Sequence, residues 1–438
     1  MSNIHLKYRL FILVRLLRLR GMAAKSDMYD LAFYDAVADN NLALLKTMGE
    51  GRSHTLNREF KVVWDSNHKG MVPIHLATYR GYEDMVEFLI EAGCDVNVIT
   101  PKTRRTPVHY AVTGNNLACL EMLLNAGAEV NRSDAFGNTA CHYAAEDGSC
   151  DILDYLILRA ACIDIPDMTN KTPLMKAVQT GQIQSVKTLV KAKCHVNARN
   201  MNGDIALHLA CRLADMDIIT YLMIAGSDKN CQNDKGRTPL MEAISYRNKD
   251  VVSKMIDYNC DLNLKEFKSG NTTLHIAIRH KYREITSILL ATPGVKVQPN
   301  DYGEFPALGL ILSNDLDMLK ILIHNNYDFD MPGKIYITGN SESLATIAMQ
   351  RSHYNMVQMI CSLNCEVLAP DISMPDYLNE FTEGVPTLQR ACRKSIRGRL
   401  GYRLMQGVKD LPLPTRIKEY LMATELTGFE IETIVTPL

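Results

Sequence analysis

Residues 105 to 134 hold two short runs of apolar positions set between polar turns. In the first, Val108, Ala111 and Val112 follow the i, i+3, i+4 spacing of one helical face. Thr106-Pro107 stands before it. The hydroxyl is suited to accept a bond from a free amide of the first turn, and proline at N1 loses no hydrogen bond by lacking an N–H. This helix is expected to stop near Gly114-Asn115, residues that tolerate a left-handed backbone. In the second run Leu117, Leu120, Met122, Leu123 and Leu124 occupy most of a helical circumference, the pattern of a helix covered by neighbours on both sides, and Gly127 ends it. Val130 and Asn131 then lead into a polar turn. Isolated helices below about 12 to 15 residues are marginal in water, so neither would persist alone. The unit has to stack on copies of itself.

Those copies are in the chain. His109 has counterparts at His75, His142, His208 and His275, with Met175 and Met241 in the two remaining places, at steps of 33 or 34 residues. A fixed period in the low thirties predicts a solenoid. By this register the repeats start near Gly70, Arg104, Gly137, Asn170, Gly203, Gly236, Gly270 and Gly303. A unit-ending Asn or Asp recurs at Asn97, Asn131, Asp164, Asn197, Asn230, Asn263 and Asp330, with Val297 the exception. Residues 31–48 have the apolar rhythm without the helix-start motif, as a capping repeat would, and an irregular piece containing Trp64 follows. An extra turn at residues 333–340 precedes a degenerate last copy, Ser343-Leu344-Ala345-Thr346-Ile347-Ala348 with Cys365-Glu366-Val367. Toward the C-terminal side Thr-Pro becomes Ile205-Ala206 and then Thr272-Thr273, and the residue matching Gly81 becomes Ala214, Arg247 and Lys281. Each lost cap or turn glycine is worth roughly 1 kcal/mol, so the late repeats should lean more on their neighbours.

The units resemble the ankyrin repeat. The resemblance rests on Val72-Pro73-Ile74-His75-Leu76-Ala77 with Gly93-Cys94-Asp95-Val96-Asn97, and on Thr106-Pro107-Val108-His109-Tyr110-Ala111 with its ending at Asn131. It implies an all-α solenoid of about nine to ten helix-turn-helix repeats.

Composition changes this picture in three places. Hydrophobic content of 47% excludes wholesale disorder. Twelve cysteines, mostly one per repeat and without a C-x-x-C pair, read as buried thiols of a reducing compartment. The net charge of -1 conceals a partition: residues 27–384 carry 33 bases against 44 acids, while residues 385–424 carry nine against two. A body that acidic is a poor generic binder of phosphate backbones, so no nucleic-acid partner is expected. Residues 1–27 form a basic leader, without an acid through residue 26, expected to be disordered and dispensable. A mitochondrial presequence or a membrane-surface helix remains the alternative there. Its apolar runs of four or five are too short to span a bilayer, and no membrane partner is expected.

Candidate chemistry is sparse. The five repeat histidines lie one per repeat, roughly 10 Å apart, too far to share a metal ion, and are read as bonding to the Thr-Pro turn. His208 with Cys211, and Cys361 with Cys365, are read as core residues. No phosphate loop, H-E-x-x-H, G-x-S-x-G or kinase set occurs, so neither catalysis nor a cofactor or metal is expected. Function is expected on the turn tips and the exposed side of the first helices, which stacking would align into one concave wall. Large residues there are candidates for binding a protein substrate: Phe136, Met168, Met201, Phe267 and Tyr302 at tips, Tyr79 and Arg80 on the helix side.

After a linker at residues 371–384 the composition turns basic. Leu388, Cys392 and Ile396 form an apolar stripe at i, i+4 and i+8, Leu411-Pro412-Leu413-Pro414 is rigid and extended, and Ile417, Tyr420 and Leu421 mark a last helix. About 40 residues are too few to be stable alone, so the segment must dock. It resembles a SOCS box at residues 385–424, with a tail at 425–438. The resemblance implies three helices, with Leu388, Cys392 and Ile396 meeting elongin C, itself bound to elongin B, and Leu411, Pro412, Leu413 and Pro414 meeting cullin-5 with its RING-box subunit. The implied protein is a non-catalytic substrate receptor of a ubiquitin ligase, expected in the cytoplasm, with the nucleus as a second compartment. Two other readings stay open: a binding scaffold uncoupled from any ligase, and, ranked last, a nucleic-acid binder using the basic segment.

Overall fold

The computed structural model describes residues 34–49, 70–325, 327, 329, 333–334, 341–342, 344, 347–348, 351 and 353–361. The C-terminal basic segment and the Trp64 insertion therefore lie outside the described residues, as does the leader. Two compact units form: Met1–Met201 with Asp217–Ser227, and Asn202–Met216 with Asp228–Leu438.

In the first unit a helical stretch at 34–38 precedes α1 (Leu42–Gly49). Four hairpins follow: α2 (Pro73–Arg80) with α3 (Glu83–Glu91), α4 (Pro107–Thr113) with α5 (Leu117–Asn125), α6 (Ala140–Asp147) with α7 (Cys150–Leu158), and α8 (Pro173–Gln179) with α9 (Ile183–Lys191). The chain then gives α10 (Ala206–Leu213) to the second unit and most of α11 (Met216–Ile224) to the first. The second unit continues with α12 (Pro239–Ser245) and α13 (Lys249–Asp257), α14 (Thr273–Arg279) and α15 (Arg283–Ala291), and α16 (Leu308–Leu312) and α17 (Leu316–His324). Where an extra turn was expected, β1 (Gly333–Lys334) pairs antiparallel with β2 (Ser341–Glu342), a two-stranded addition to an otherwise helical fold, before α18 (Tyr354–Cys361).

Within each unit first helices stack on first helices, α2 on α4, α4 on α6 and α6 on α8, then α10 on α12, α12 on α14 and α14 on α16. This leaves them almost wholly buried: Ile74, Leu76 and Ala77 in α2, and Leu240, Met241 and Ala243 in α12, have no exposed surface. The second helices differ from the sequence expectation. In α5, Leu120, Leu123 and Leu124 are buried but Leu117 and Met122 are half-buried, because one side of each second helix stays open to solvent.

The repeat histidines do more than serve their own turn. In each, Nδ1 accepts the backbone N–H of the N-cap residue: Val72, Thr106, Thr139, Ile205 and Thr272, at 3.0 to 3.2 Å. That bond places the proton on Nε2, which donates to a carbonyl farther along, Val98 before the next repeat start for His75, and Asn138, Lys171, Arg237 and Glu304 of the following repeat for the others, at 2.9 to 3.1 Å. Burial pushes His75, His109 and His275 down to about 4 and lowers His142 and His208 as well, so the rings are neutral bridges. The N-cap expectation is thereby corrected. Thr106 Oγ1 lies 2.9 Å from His109 Nδ1 and makes no bond to a first-turn amide. Of the two positions where methionine replaces histidine, Thr238 caps as expected, accepting the Met241 N–H at 3.2 Å, while the Thr172 hydroxyl before Met175 makes no such bond. Val72 and Ile205 lose little by lacking a hydroxyl, since the imidazole serves their backbone.

All eight positions read as repeat starts have left-handed backbone, from Arg104 at φ 52° to Gly70 at φ 86°. Gly114 is a different case: its φ is -79° and Asn115 takes the left-handed conformation at 54°. Gly114 is needed because a Cβ there would collide with the Tyr79 carbonyl oxygen. Ala214, Arg247 and Lys281 occupy left-handed positions at φ 61°, 60° and 59° without being glycine. Each strain costs about 1 to 2 kcal/mol, partly offset by the greater entropy of an unfolded glycine, so Ala214→Gly should stabilise by about 0.5 to 1 kcal/mol, and Lys281→Gly by less, because it also loses the 3.2 Å pair with Asp315. An unchanged or lower thermal midpoint for both variants would contradict this.

Candidate functional site

The tips are built by internal capping. Asp134 Oδ1 accepts the N–H groups of Phe136 and Asn138 at 2.8 and 2.9 Å, and Asp167 Oδ1 those of Thr169 and Lys171 at 2.7 and 2.9 Å. Asn233 and Asn300 do the same in the second unit, for Lys235 and Arg237 and for Tyr302 and Glu304. These caps fold each tip so that the next large side chain points outward. Neighbouring tips of the first unit are tied by backbone bonds, Ala135 N–H to Thr103 O at 2.8 Å, Met168 N–H to Phe136 O at 2.9 Å and Met201 N–H to Thr169 O at 3.0 Å. Gly137 permits that approach, since a Cβ there would lie 2.7 Å from the Met168 nitrogen.

Behind the tips, the unit-ending residues bond forward. Asn97, Asn131, Asp164, Asn230 and Asn263 each accept, through Oδ1, an N–H of the following repeat, at Glu129, Cys162, His195, Asp261 and Lys296 respectively. The tips are therefore held at the spacing of the stack.

The predicted tip residues are displayed. Phe136, Met168 and Met201 are 57%, 67% and 63% exposed in the first unit, and Phe267 and Tyr302 are exposed in the second. Phe267 N–H bonds to Lys235 O at 3.1 Å and Tyr302 hydroxyl donates to Lys268 O at 3.3 Å, which fixes the second pair on their own row. Tyr79 and Arg80 lie in the last turn of α2, both exposed, with Tyr79 edge-on to the Tyr110 ring. They belong to the helix side and not to the tip row. Leu388, Cys392 and Ile396, and Leu411 to Pro414, lie outside the described residues.

Leu158, Leu213, Ile224, Tyr246 and Leu312 are exposed apolar residues that the sequence reading passed over. Leu213 and Tyr246 stand in successive repeats at the register position of Arg80, on α10 and just after α12, both more than half exposed. Applying the Arg80 register to every repeat would have found them. Arg212 stacks over the Tyr246 ring at 5.6 Å and is held by Asp204 and Glu242 at 3.3 and 3.2 Å. Arg237 joins the same ladder, 2.6 Å from Glu266 and 3.9 Å from Glu242. These charges are spent on one another. In the first unit Arg105 donates to Tyr143 at 2.6 Å, and Tyr143 donates to Asp134 Oδ2 at 2.6 Å.

Among the described residues no group of three or more His, Cys, Asp or Glu is placed to hold a metal ion. Nor is any described helix long and apolar enough to cross a membrane.

Stacked hairpins with left-handed repeat starts, histidine bridges and tied tips define an ankyrin solenoid. The family model for ankyrin repeats matches residues 33–134, 127–200 and 203–301, more than half the chain, and the SOCS box model matches residues 384–422. The chain belongs to the ankyrin repeat and SOCS box proteins. It is 40% identical over 68 residues to human ankyrin repeat and SOCS box protein 6, which is 15% of this chain and 16% of that protein. It is 34% identical over 74 residues to the mouse B-cell lymphoma 3 protein homolog, 17% of this chain and 16% of the relative. The NF-kappa-B inhibitor cactus of Drosophila melanogaster is 33% identical over 69 residues, 16% and 14% of the two chains. The matched stretch thus spans only about a sixth of the length of each of these relatives.

Proposed function

We propose that this chain is a non-catalytic substrate receptor of a ubiquitin ligase: its ankyrin repeats bind a target protein, and its SOCS box docks on elongin B and C and on cullin-5 with its RING-box subunit. The observation that carries the reading is the SOCS box match at residues 384–422, downstream of the repeats. Domain boundaries follow as residues 28–69 for the capping repeat, 70–370 for the array, 371–384 for the linker and 385–424 for the box. Leu388, Cys392 and Ile396 are assigned to elongin C, where small apolar groups one turn apart suit a shallow pocket. Leu411, Pro412, Leu413 and Pro414 are assigned to the cullin, the prolines presenting Leu413 with little ordering cost.

The chain acts by proximity. Holding a target beside a ubiquitin-charged conjugating enzyme raises the effective concentration of its lysines and leads to degradation of the target, in the cytoplasm and in the nucleus. Copurification tests the assignment. The wild-type chain should capture elongins B and C, and Leu388→Pro with Cys392→Phe should reduce capture about tenfold or more, the loss expected when central anchors are removed. Undiminished capture by the double variant would remove the elongin assignment and leave the scaffold reading.

A further inference from the structure

We infer that the C-terminal ends of the second helices in the first unit form a docking surface for a carboxylate-rich, aliphatic segment of a partner protein. The surface lies on the second-helix side, not on the tips, and it adds to the receptor reading without resting on it. Three consecutive repeats build it in one register: Leu158, Lys191 and Ile224 are the last residues of α7, α9 and α11. Leu158 and Ile224 are 78% and 77% exposed, more than any other large apolar side chain among the described residues. The row is held from behind. Asp164 Oδ1 accepts the His195 N–H at 2.8 Å, and Asn197 donates to the Gly226 carbonyl and accepts from the Ser227 hydroxyl, both at 3.4 Å.

Charge sets the chemistry of the occupant. Residues 168–203 carry six Lys or Arg and no acid, within an array whose acids outnumber its bases. Lys176 is spent on Asp167 and Glu146, at 3.5 and 4.0 Å. Lys187, Lys191 and Lys193 pair with no acid among the described residues, and the first two share a face of α9 at i and i+4. Lys191 and Lys193 are exposed and Lys187 is half-buried. The flanking second helices carry their acids farther back, Asp151 and Asp154 on α7 and Asp217 on α11, and α9 has Gln184 and Lys187 at those registers. Two aliphatic knobs therefore stand on either side of a positive centre. A basic partner would be repelled there, and a purely apolar one would strip water from three ammonium groups without supplying a counter-charge.

Lys193 carries the argument further. Its φ is 62°, in the left-handed position two residues past the helix end where Gly93, Gly127 and Gly226 stand at 80°, 87° and 83° and Ala160 at 58°. A Cβ at any of those three glycines would meet nothing within 4 Å, so a side chain in this register projects into open space. The lysine thus bears backbone strain without packing in return, and its charge is left for something outside the chain.

The test uses the full chain and short fluorescent peptides. One alternates glutamate pairs with leucine; its controls replace every glutamate with glutamine, or every leucine with serine. Fluorescence anisotropy should show binding of the first peptide alone, weakened about tenfold or more by Leu158→Ser with Ile224→Ser. Lys187→Glu with Lys191→Glu and Lys193→Glu should weaken it as much and remove most of its salt dependence. Lys193→Gly should raise the thermal midpoint by about 1 to 3 °C while lowering affinity about twofold, opposite effects that a merely structural lysine would not give. Absence of binding to the wild-type chain, equal binding by any of the three variants, or equal binding of the glutamine peptide overturns the inference. So does a wild-type chain that ignores the peptide yet sediments with vesicles of equal parts phosphatidylcholine and phosphatidylserine, which would assign the surface to lipid headgroups.

Discussion

Acidification from pH 6.5 toward 4 is expected to unfold the repeats through their histidines. His75, His109 and His275 titrate near 4 in the folded chain against 6.5 when unfolded, burial being the main cause. Between those values the unfolded state binds more protons, so the stability these groups confer is complete above pH 6.5 and falls as pH drops toward 4. Each gap is worth about 3 kcal/mol, which for three groups rivals the 5 to 15 kcal/mol of a whole domain. The geometry explains the direction: protonating Nδ1 destroys its bond from the N-cap amide, and positive neighbours, Arg105 at His109 and Lys265 at His275, oppose a second charge. The carbonyls of Val98, Asn138 and Glu304 act the other way without reversing the balance. Asp167 and Asp315 lie below the usual carboxylate range, where bonds from neighbouring groups outweigh burial, so their loss comes later. Far-ultraviolet circular dichroism across this interval measures the effect. The chain supplies its own control in Met175 and Met241. Replacing His75, His109 and His275 with methionine should flatten the profile between pH 6.5 and 4, and an undiminished slope would refute the assignment.

Much of this architecture is legible from residue types because it is local. Proline at N1, alternating apolar bursts and the glycines of the turns act within a few residues, so the repeat starts could be placed and all prove left-handed. The histidine bridge was half legible. Its bond to the N-cap lies three residues away, but its second partner lies 23 to 29 residues on and is a backbone carbonyl, which any side chain can provide. The forward bonds of Asn97 and Asn131 escaped for the same reason, their partners being the amides of Glu129 and Cys162. Thr106 misled because a hydroxyl before a helix has a standard use, and the imidazole in the same turn claimed it.

The candidate surface divides in the same way. Large apolar residues at turn tips could be read from the repeat register, since a tip buries nothing within its own repeat, and Phe136, Met168 and Met201 are indeed outside. What register cannot show is where the charges go. Register places Asp134 and Asp167 in turns without showing that their carboxylates bond inward, to tip amides and to Tyr143 and Lys176. The polarity of the surface is thus a product of tip capping.

Asp134→Ala is therefore expected to destabilise the first unit by about 3 to 5 kcal/mol, the range for breaking a buried charged network from one side. The carboxylate side chain is fully buried, accepts two backbone N–H groups and the Tyr143 hydroxyl, and has Arg105 Nε 3.8 Å away. Alanine would strand all of these at once. Burial, and then the bond to Asp134, push the Tyr143 hydroxyl pKa up, so it remains a donor throughout the accessible pH range and cannot relieve the loss by ionising. Asp134→Asn should cost less, about 1 to 3 kcal/mol, because an amide oxygen can hold both N–H groups as it does at Asn233 and Asn300, while the amide NH2 cannot accept the Tyr143 hydroxyl. Urea unfolding separates the variants, and hydrogen exchange locates the damage at the Phe136 and Asn138 amides. Equal costs for alanine and asparagine would mean that backbone capping contributes nothing and the charge everything. Faster exchange at both amides in Asp134→Ala alone would show that the same carboxylate shapes the tip that displays Phe136.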